Sequence, residues 1–276
     1  MQVTSTDDVT LELHDLGGDG PTLLVAHATG FCAGAYRPLA ARLGADFHVW
    51  AVDFRAHGDA TVPSTGDLTW RGMADDVLAV AGALDDGPLF AVGHSMGGAC
   101  LMGAELRVPG TLRAAYLFEP IIVPPGFDAV APGGNPLAES ARRRRPSFPS
   151  RPEALARYAS RPPLGAFRAD ALSAYVEHGF ADAPDGTITL KCTPEHEAQV
   201  FEASGKPLIS EMAQVATPTV VARGSRDRSP GPADFADHIA ASLPNGTLRR
   251  YDHLGHFGPF QDPDTIAEDL TAAFLG

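Results

Sequence analysis

The sequence predicts an α/β fold: a mainly parallel, twisted sheet flanked by helices, with a mostly helical cap inserted before its last strands. Three observations predict it. Strand-length apolar runs alternate with stretches of helical spacing across residues 9–118 and again across 219–274. Several of those runs are apolar throughout, which suits strands buried on both faces of a parallel sheet. Between the two blocks, residues of about 120–212 lose that rhythm and become rich in Pro and Gly. The expected organisation is therefore a core of residues 1–119 and 213–276, with residues 120–212 as the cap.

The elements follow in order. Val9 to Leu13 alternates as a strand, and Gly17 to Pro21 is a turn. Thr22 to Ala26 is a continuously apolar strand, followed by a helix near Arg37 to Leu43 and a strand over Phe47 to Val52. Met73, Val77, Val80, Ala81 and Leu84 fall on one helical face, so Leu68 to Leu84 reads as a helix. Leu89 to Val92 is a strand, Gly98 to Val108 a helix, and Ala114 to Phe118 a further strand. Inside the expected cap, Pro152 to Ala159 and Ala169 to His178 are amphipathic. The run Arg142 to Arg145 reads as a solvated helix face. Thr219 to Ala222 resumes the strands, then come a helix over Pro232 to Ser242, a strand over Thr247 to Tyr251 and a helix over Thr265 to Phe274.

Composition narrows the function classes. Hydrophobic residues make up 44 % and charged residues 20 % of the 276, which is ordinary for a globular protein. The net charge of −13 argues against nucleic acid or an anionic membrane as partner, since both reward positive charge. No apolar run approaches the length of a membrane span. The first residues, Met1 to Asp8, have neither a basic start nor an apolar stretch, so no secretory signal is expected. Cys32, Cys100 and Cys192 are odd in number and widely spaced, giving neither a disulfide framework nor a metal pattern. They read as buried small hydrophobes of a reduced, cytoplasmic protein. No spacing suits a metal ion and no glycine loop suits a nucleotide phosphate, so no cofactor is expected.

The chemistry concentrates at Gly93-His94-Ser95-Met96-Gly97, a G-x-S-x-G pattern set between a strand and a helix. In that setting a serine sits at the apex of a sharp, strained turn with its hydroxyl presented outward, and glycines allow the close approach of strand and helix. The helix that follows points its amides and its positive dipole end at the same place. A serine hydroxyl needs a base to take its proton and a third group to hold that base. The order expected for this topology is serine, acid, histidine, each beyond the C-terminal end of a strand. Gly224-Ser225-Arg226-Asp227 and Gly255-His256-Phe257 stand in those places.

With these motifs the chain resembles the α/β-hydrolase family over nearly its whole length apart from the cap. His27 after an early strand belongs to the likeness. So does the turn Asp53-Phe54-Arg55-Ala56-His57-Gly58-Asp59, which is similar to the family's D-x-R-G-H-G-x-S with Ala56 and Ala60 as departures. The resemblance implies Ser95 as nucleophile, Asp227 as orienting acid and His256 as base. His253 is the other histidine of that loop but lacks the G-H-F setting. Glu119, at the end of the Ala114 to Phe118 strand, is an alternative acid or a substrate contact.

An oxyanion hole requires two amides. The Met96 amide is one, and the loop His27-Ala28-Thr29-Gly30-Phe31 supplies the other, from Thr29 or, with a gap, from Gly30-Phe31. Phe31, His94, Phe257 and Trp70 are candidate pocket residues, and His57 reads as a structural turn residue. The expected activity is hydrolysis of an ester, thioester or lactone of small to medium size, with water as second substrate. A C–C bond hydrolase or a cofactor-free perhydrolase would use the same triad. A low-turnover binding or signalling protein would keep the fold. The sequence does not fix the oligomeric state.

Overall fold

The computed structural model describes residues 1–127, 134–225 and 231–276. The strands in chain order are β1 (Gln2–Thr4), β2 (Thr10–Gly17), β3 (Thr22–Ala26), β4 (His48–Asp53), β5 (Leu89–His94), β6 (Leu112–Phe118), β7 (Ser147–Phe148), β8 (Phe180–Asp182), β9 (Ile188–Leu190), β10 (Thr219–Arg223) and β11 (Gly246–Arg250). The α-helices are α1 (Arg37–Leu43), α2 (Trp70–Leu84), α3 (Met96–Arg107), α4 (Pro136–Arg142), α5 (Arg151–Ala159), α6 (Ala169–His178), α7 (Pro194–Glu202), α8 (Ala233–Ser242), α9 (Gly258–Gln261) and α10 (Pro263–Leu275).

Eight strands form the main sheet in the order β1-β2-β4-β3-β5-β6-β10-β11. From β4 through β11 every neighbouring pair is parallel, while β1 and β2 close the other edge antiparallel. The chain runs outward from β3 to β4 and then crosses back to β5, so the winding reverses between β3 and β5. In an open parallel sheet, the loops beyond the carboxyl ends at such a reversal frame a crevice. The loop after β3 and the turn after β5 therefore face each other because of strand order alone.

The continuously apolar runs are explained by burial on both sides. All six residues of β5 are buried. One face of the sheet packs Leu23, Val25, Phe90 and Tyr116 against Leu39 and Leu43 of α1 and Ile266 and Leu270 of α10. The other packs Leu24, Ala91 and Leu117 against Met73 and Val77 of α2, Leu101 of α3 and Ile239 of α8. The turn Asp53 to Asp59 is held by a fully buried ion pair. Arg55 Nη2 donates to Asp76 Oδ1 at 2.7 Å and Arg55 Nε to Asp76 Oδ2 at 2.9 Å, while Nη1 and Nη2 also reach Asp67 O and Thr6 Oγ1. The three cysteines are free and buried, and burial raises the Cys32 thiol to about 12.

Two expectations change. The segment between β6 and β10 is helical only in part: beside α4 to α7 it carries a three-stranded antiparallel sheet, β7-β9-β8. Strands of two or three residues are too short to leave an alternation in the sequence. The run Arg142 to Arg145 is not simply a solvated face. Arg142 pairs with Glu195 and Glu202 of α7, Arg145 lies 4.6 Å over the Phe148 ring, and Arg144 turns inward to Glu197 and the Tyr175 hydroxyl. Among the described residues no helix is long and apolar enough to cross a membrane.

Candidate active site

The turn after β5 places Ser95 at φ 53° and ψ −112°, a backbone conformation that L-residues rarely adopt. α3 begins at Met96, two residues earlier than the sequence spacing suggests, so Ser95 stands immediately before its first amide. Glycine is required beside it by contact: a Cβ on Gly97 would lie 2.1 Å from the Ala26 carbonyl oxygen at the end of β3. The strained turn is fastened on both sides. Ser95 N–H donates to Phe118 O at 3.0 Å, and Ile121 N–H donates to Ser95 O at 3.2 Å. The end of β6, which carries Glu119, is thus stitched directly to the candidate nucleophile. Ser95 is 7 % exposed, and its hydroxyl makes no hydrogen bond among the described residues.

His256 lies on the loop after β11. Its Nδ1–H donates to Glu119 Oε2 at 2.7 Å. The other carboxylate oxygen, Oε1, accepts the Gly224 amide at 2.8 Å, so both oxygens of this buried group have donors. Glu119 itself has φ 44°, and its amide donates to Ala222 O at the end of β10. With Nδ1 given to Glu119, Nε2 is the imidazole nitrogen that remains for a reacting group. The sequence puts Asp227 in the orienting role; Asp227 lies outside the described residues, and the acid that holds His256 among them is Glu119. His253 is exposed and pairs instead with Asp262 at 3.6 Å.

A chain of hydrogen bonds, buried as far as His94, links the two candidate halves of the site. Ala28 N–H donates to the Tyr36 hydroxyl at 3.1 Å, the Tyr36 O–H donates to His94 Nδ1 at 2.8 Å, and His94 Nε2–H donates to the His256 carbonyl at 2.8 Å. Each donor matches its acceptor only if His94 is neutral. Burial pushes its pKa well below the ordinary histidine range, and the neighbouring His256 adds to the effect. His94 is therefore a framework residue between the β3 loop and His256, not an open pocket residue.

The β3 loop itself is fixed from within. His27 Nδ1–H donates to Ala28 O at 2.8 Å and its Nε2 accepts the Phe54 amide at 3.1 Å, with burial lowering its pKa. Phe31 N–H is consumed by Ala28 O at 3.1 Å. Among the described residues the Thr29 and Gly30 amides have no such acceptor. The Met96 amide, at the head of α3, has none within its helix either.

Aromatic rings surround the loop. Phe31 lies 5.7 Å from Phe257, 4.9 Å from Phe260, 6.2 Å from Phe167 and 5.0 Å from Tyr175, the last two from the inserted segment. Trp70 is elsewhere: it is buried on the other face of the sheet, and its Nε1–H donates to Val200 O of α7 at 2.9 Å, so it anchors α2 to α7. A cavity of about 600 Å³ opens beside Glu119, His256 and Phe257, and Ser160, Arg161 and Ala166 also line it. Its described walls reach the acid and the imidazole but not Ser95, so it is the histidine side of the site.

The metal-ligating residue types that gather among the described residues are His14, Asp53 and Asp59, with ligand atoms within 4.8 Å of one another. They satisfy each other internally. Asp53 takes the His14 ring and the Ala33 and Asp59 amides, and Lys191 Nζ is 2.8 Å from Asp59.

This combination of a parallel sheet, a strained serine turn after β5 and a carboxylate-held histidine after the last strand defines a class of hydrolase scaffold. The sequence model of the alpha/beta hydrolase family matches residues 23–269, and the chain belongs to that family. Among known proteins it is similar to a 2-(acetamidomethylene)succinate hydrolase of Mesorhizobium japonicum, 26 % identical over 89 % of this chain and 85 % of that one. It is also similar to a non-heme chloroperoxidase of Streptomyces lividans, 27 % identical over 98 % of each chain. Among solved structures, the esterase RhEst1 from Rhodococcus sp. ECU1013 superposes with a TM-score of 0.76 at 19 % identity, covering 99 % of this chain and 98 % of that one.

Proposed function

We propose that this hydrolase cleaves a carboxylic ester, thioester or lactone of a small to medium acyl substrate through Ser95, His256 and Glu119, with water as the second substrate. His256 Nε2 takes the Ser95 proton as the serine oxygen attacks the carbonyl carbon. The Met96 and Thr29 amides hold the oxyanion of the tetrahedral intermediate. As the intermediate collapses, His256 returns the proton to the leaving oxygen or sulfur. A water molecule, deprotonated by the same nitrogen, attacks the acyl carbonyl, and His256 gives that proton to the departing Ser95 oxygen as the acid is released. Glu119 keeps the proton on Nδ1 and stabilises the imidazolium formed in each half. The segment 120–212 serves as the cap that selects the acyl and leaving groups. The three unpaired cysteines support a reduced, cytoplasmic setting.

The observation that carries this reading is the 2.7 Å bond from His256 to a carboxylate whose second oxygen is already occupied by Gly224. A carboxylate fixed in this way can orient an imidazole without competing for the serine proton. Hydrolysis of 4-nitrophenyl acetate by the purified chain tests it. Ser95→Ala is expected to lose about 10⁴-fold or more in kcat, and a fluorophosphonate is expected to label Ser95. An unchanged rate in Ser95→Ala would reject the assignment. The likeness to the chloroperoxidase favours a second reading, perhydrolysis by the same residues with hydrogen peroxide in place of water. Peracid formation from acetate and peroxide at a rate above ester hydrolysis would select it.

A further inference from the structure

A buried carboxylate from the inserted segment presses on the loop proposed to hold the oxyanion. Gly30 has φ 76°, and a Cβ built on it would lie 2.6 Å from Glu197 Oε1 and 2.7 Å from Glu197 Cδ. The carboxyl group thus fills the space of the missing side chain, one residue after Thr29. Glu197 is only 7 % exposed and stands in the first turn of α7, which is capped by the Thr193 hydroxyl at the His196 amide.

A carboxylate in that place carries a cost for the reaction. Negative charge beside the loop opposes the negative charge that develops on the substrate oxygen, and a poorly solvated environment strengthens the opposition. Arg144 answers it. Its Nη1 donates to Glu197 Oε2 and its Nη2 donates to the Tyr175 hydroxyl. The Tyr175 ring packs 5.0 Å from Phe31, the residue after Gly30. Both partners of one guanidinium therefore rest on consecutive residues of the same loop. Arg142 fastens the end of α4 to α7 through Glu195 and Glu202, which holds the α4 side from which Arg144 reaches inward.

We infer that Glu197 is a positioning residue that braces the Thr29–Gly30 backbone from the cap side, and that Arg144 both holds Glu197 there and cancels its charge at the oxyanion hole. The catalytic half of this statement rests on the ester-hydrolase reading; the brace itself does not.

The experiment compares Arg144→Met, Glu197→Gln, Glu197→Ala and the double variant Arg144→Met/Glu197→Gln with the wild type. Two readouts are taken: kcat and KM on 4-nitrophenyl acetate, and amide hydrogen exchange in peptides covering residues 27–31. Arg144→Met leaves an uncancelled carboxylate on the loop. It is expected to lower kcat by at least about fivefold with little change in KM, and the double variant is expected to recover most of that loss. Glu197→Ala removes the brace and is expected to speed exchange at residues 27–31 while the circular dichroism spectrum stays native. A double variant no faster than Arg144→Met would overturn the charge role. Wild-type exchange in Glu197→Ala would overturn the brace. Should Arg144→Met fail to fold, the kcat of Glu197→Gln against Glu197→Ala decides: equal losses reject positioning by the carboxyl group's shape. If the wild type neither turns over ester nor accepts a fluorophosphonate, the catalytic reading fails, and the exchange comparison still decides the brace.

Discussion

Glu119 and His256 are joined by a 2.7 Å hydrogen bond that crosses from the end of β6 to the loop after β11. Because the Gly224 amide fixes the far oxygen of the same carboxylate, the bond has a defined direction and sets the imidazole tautomer. Glu119→Gln leaves one acceptor oxygen for two donors, so either His256 Nδ1–H or the Gly224 amide faces an NH2 group that cannot accept. It is expected to lower kcat by about 10²- to 10⁴-fold with little change in KM. Asp227→Asn is expected to stay within about tenfold of wild type. The reverse ranking of the two variants in steady-state ester hydrolysis would return the orienting role to Asp227.

The Tyr36 hydroxyl sits between the β3 loop and His94, accepting from Ala28 N–H and donating to His94 Nδ1. Tyr36→Phe preserves the ring and its packing on Phe260 but strands a buried donor and a buried acceptor. The expected loss of stability is about 2 kcal/mol, read as a lower urea midpoint at unchanged slope. Because the same chain ends on the His256 carbonyl, kcat should fall as well. An unaltered midpoint would mean that water takes over the hydroxyl's role.

Arg55 and Asp76 are both fully buried, and the guanidinium and carboxylate are paired through two hydrogen bonds, with Asp67 and Thr6 completing the guanidinium's partners. Removing one member leaves a buried charge uncompensated. Arg55→Met is expected to cost about 3–5 kcal/mol, whereas Arg55→Met/Asp76→Leu should recover a large part of it. The comparison uses urea or thermal unfolding of the two variants side by side. A double variant as unstable as the single would show that the hydrogen bonds to Thr6 and Asp67, not the charge balance, carry the turn.

What the sequence made legible follows from period and spacing. The places of Ser95 at the head of α3 and of His256 on the loop after β11 are legible because the G-x-S-x-G and G-H-F segments follow strand-length apolar runs, and the structure keeps both segments after strands. The acid was not decidable in the same way. β6 and β10 are adjacent, with Phe118 opposite Ala222, so the loops after both strands open on one spot. A carboxylate at residue 119 or at residue 227 satisfies the topology equally. The signal that could have weighted Glu119 is its position as the residue immediately after a strand and before Pro120, where the chain must turn sharply. The inward turn of Arg144 had no signal at all. Its three neighbours, Arg142, Arg143 and Arg145, are exposed, and only the packing of α4 on α7 separates them from it. Trp70 reads as a pocket residue from its type alone, whereas its partner, Val200 O, is 130 residues away in the chain.

Stability should fall as pH drops below the ordinary histidine range, and the direction follows from three buried imidazoles. Burial lowers the pKa of His27, pushes His57 down to about 3 and holds His94 well below its usual value. In the unfolded chain each of these would take a proton near pH 6.5, while in the folded chain each stays neutral to much lower pH. The unfolded state therefore binds more protons throughout that window. Stability is fully present above about pH 6.5 and declines as pH falls toward the folded pKa of each group, by about 1.4 kcal/mol per pH unit for each histidine still neutral. Urea midpoints at pH 7.5, 6 and 5 should drop progressively. His57 offers the cleanest test, because its Nδ1–H donates to Arg55 O at 3.0 Å and its buried Nε2 has no hydrogen-bond partner among the described residues. His57→Asn can keep the donor to Arg55 O while removing the titrating ring, so its midpoint should depend less on pH by the share of one proton. Equal pH dependence in the two proteins would show that His57 takes up its proton without unfolding the chain.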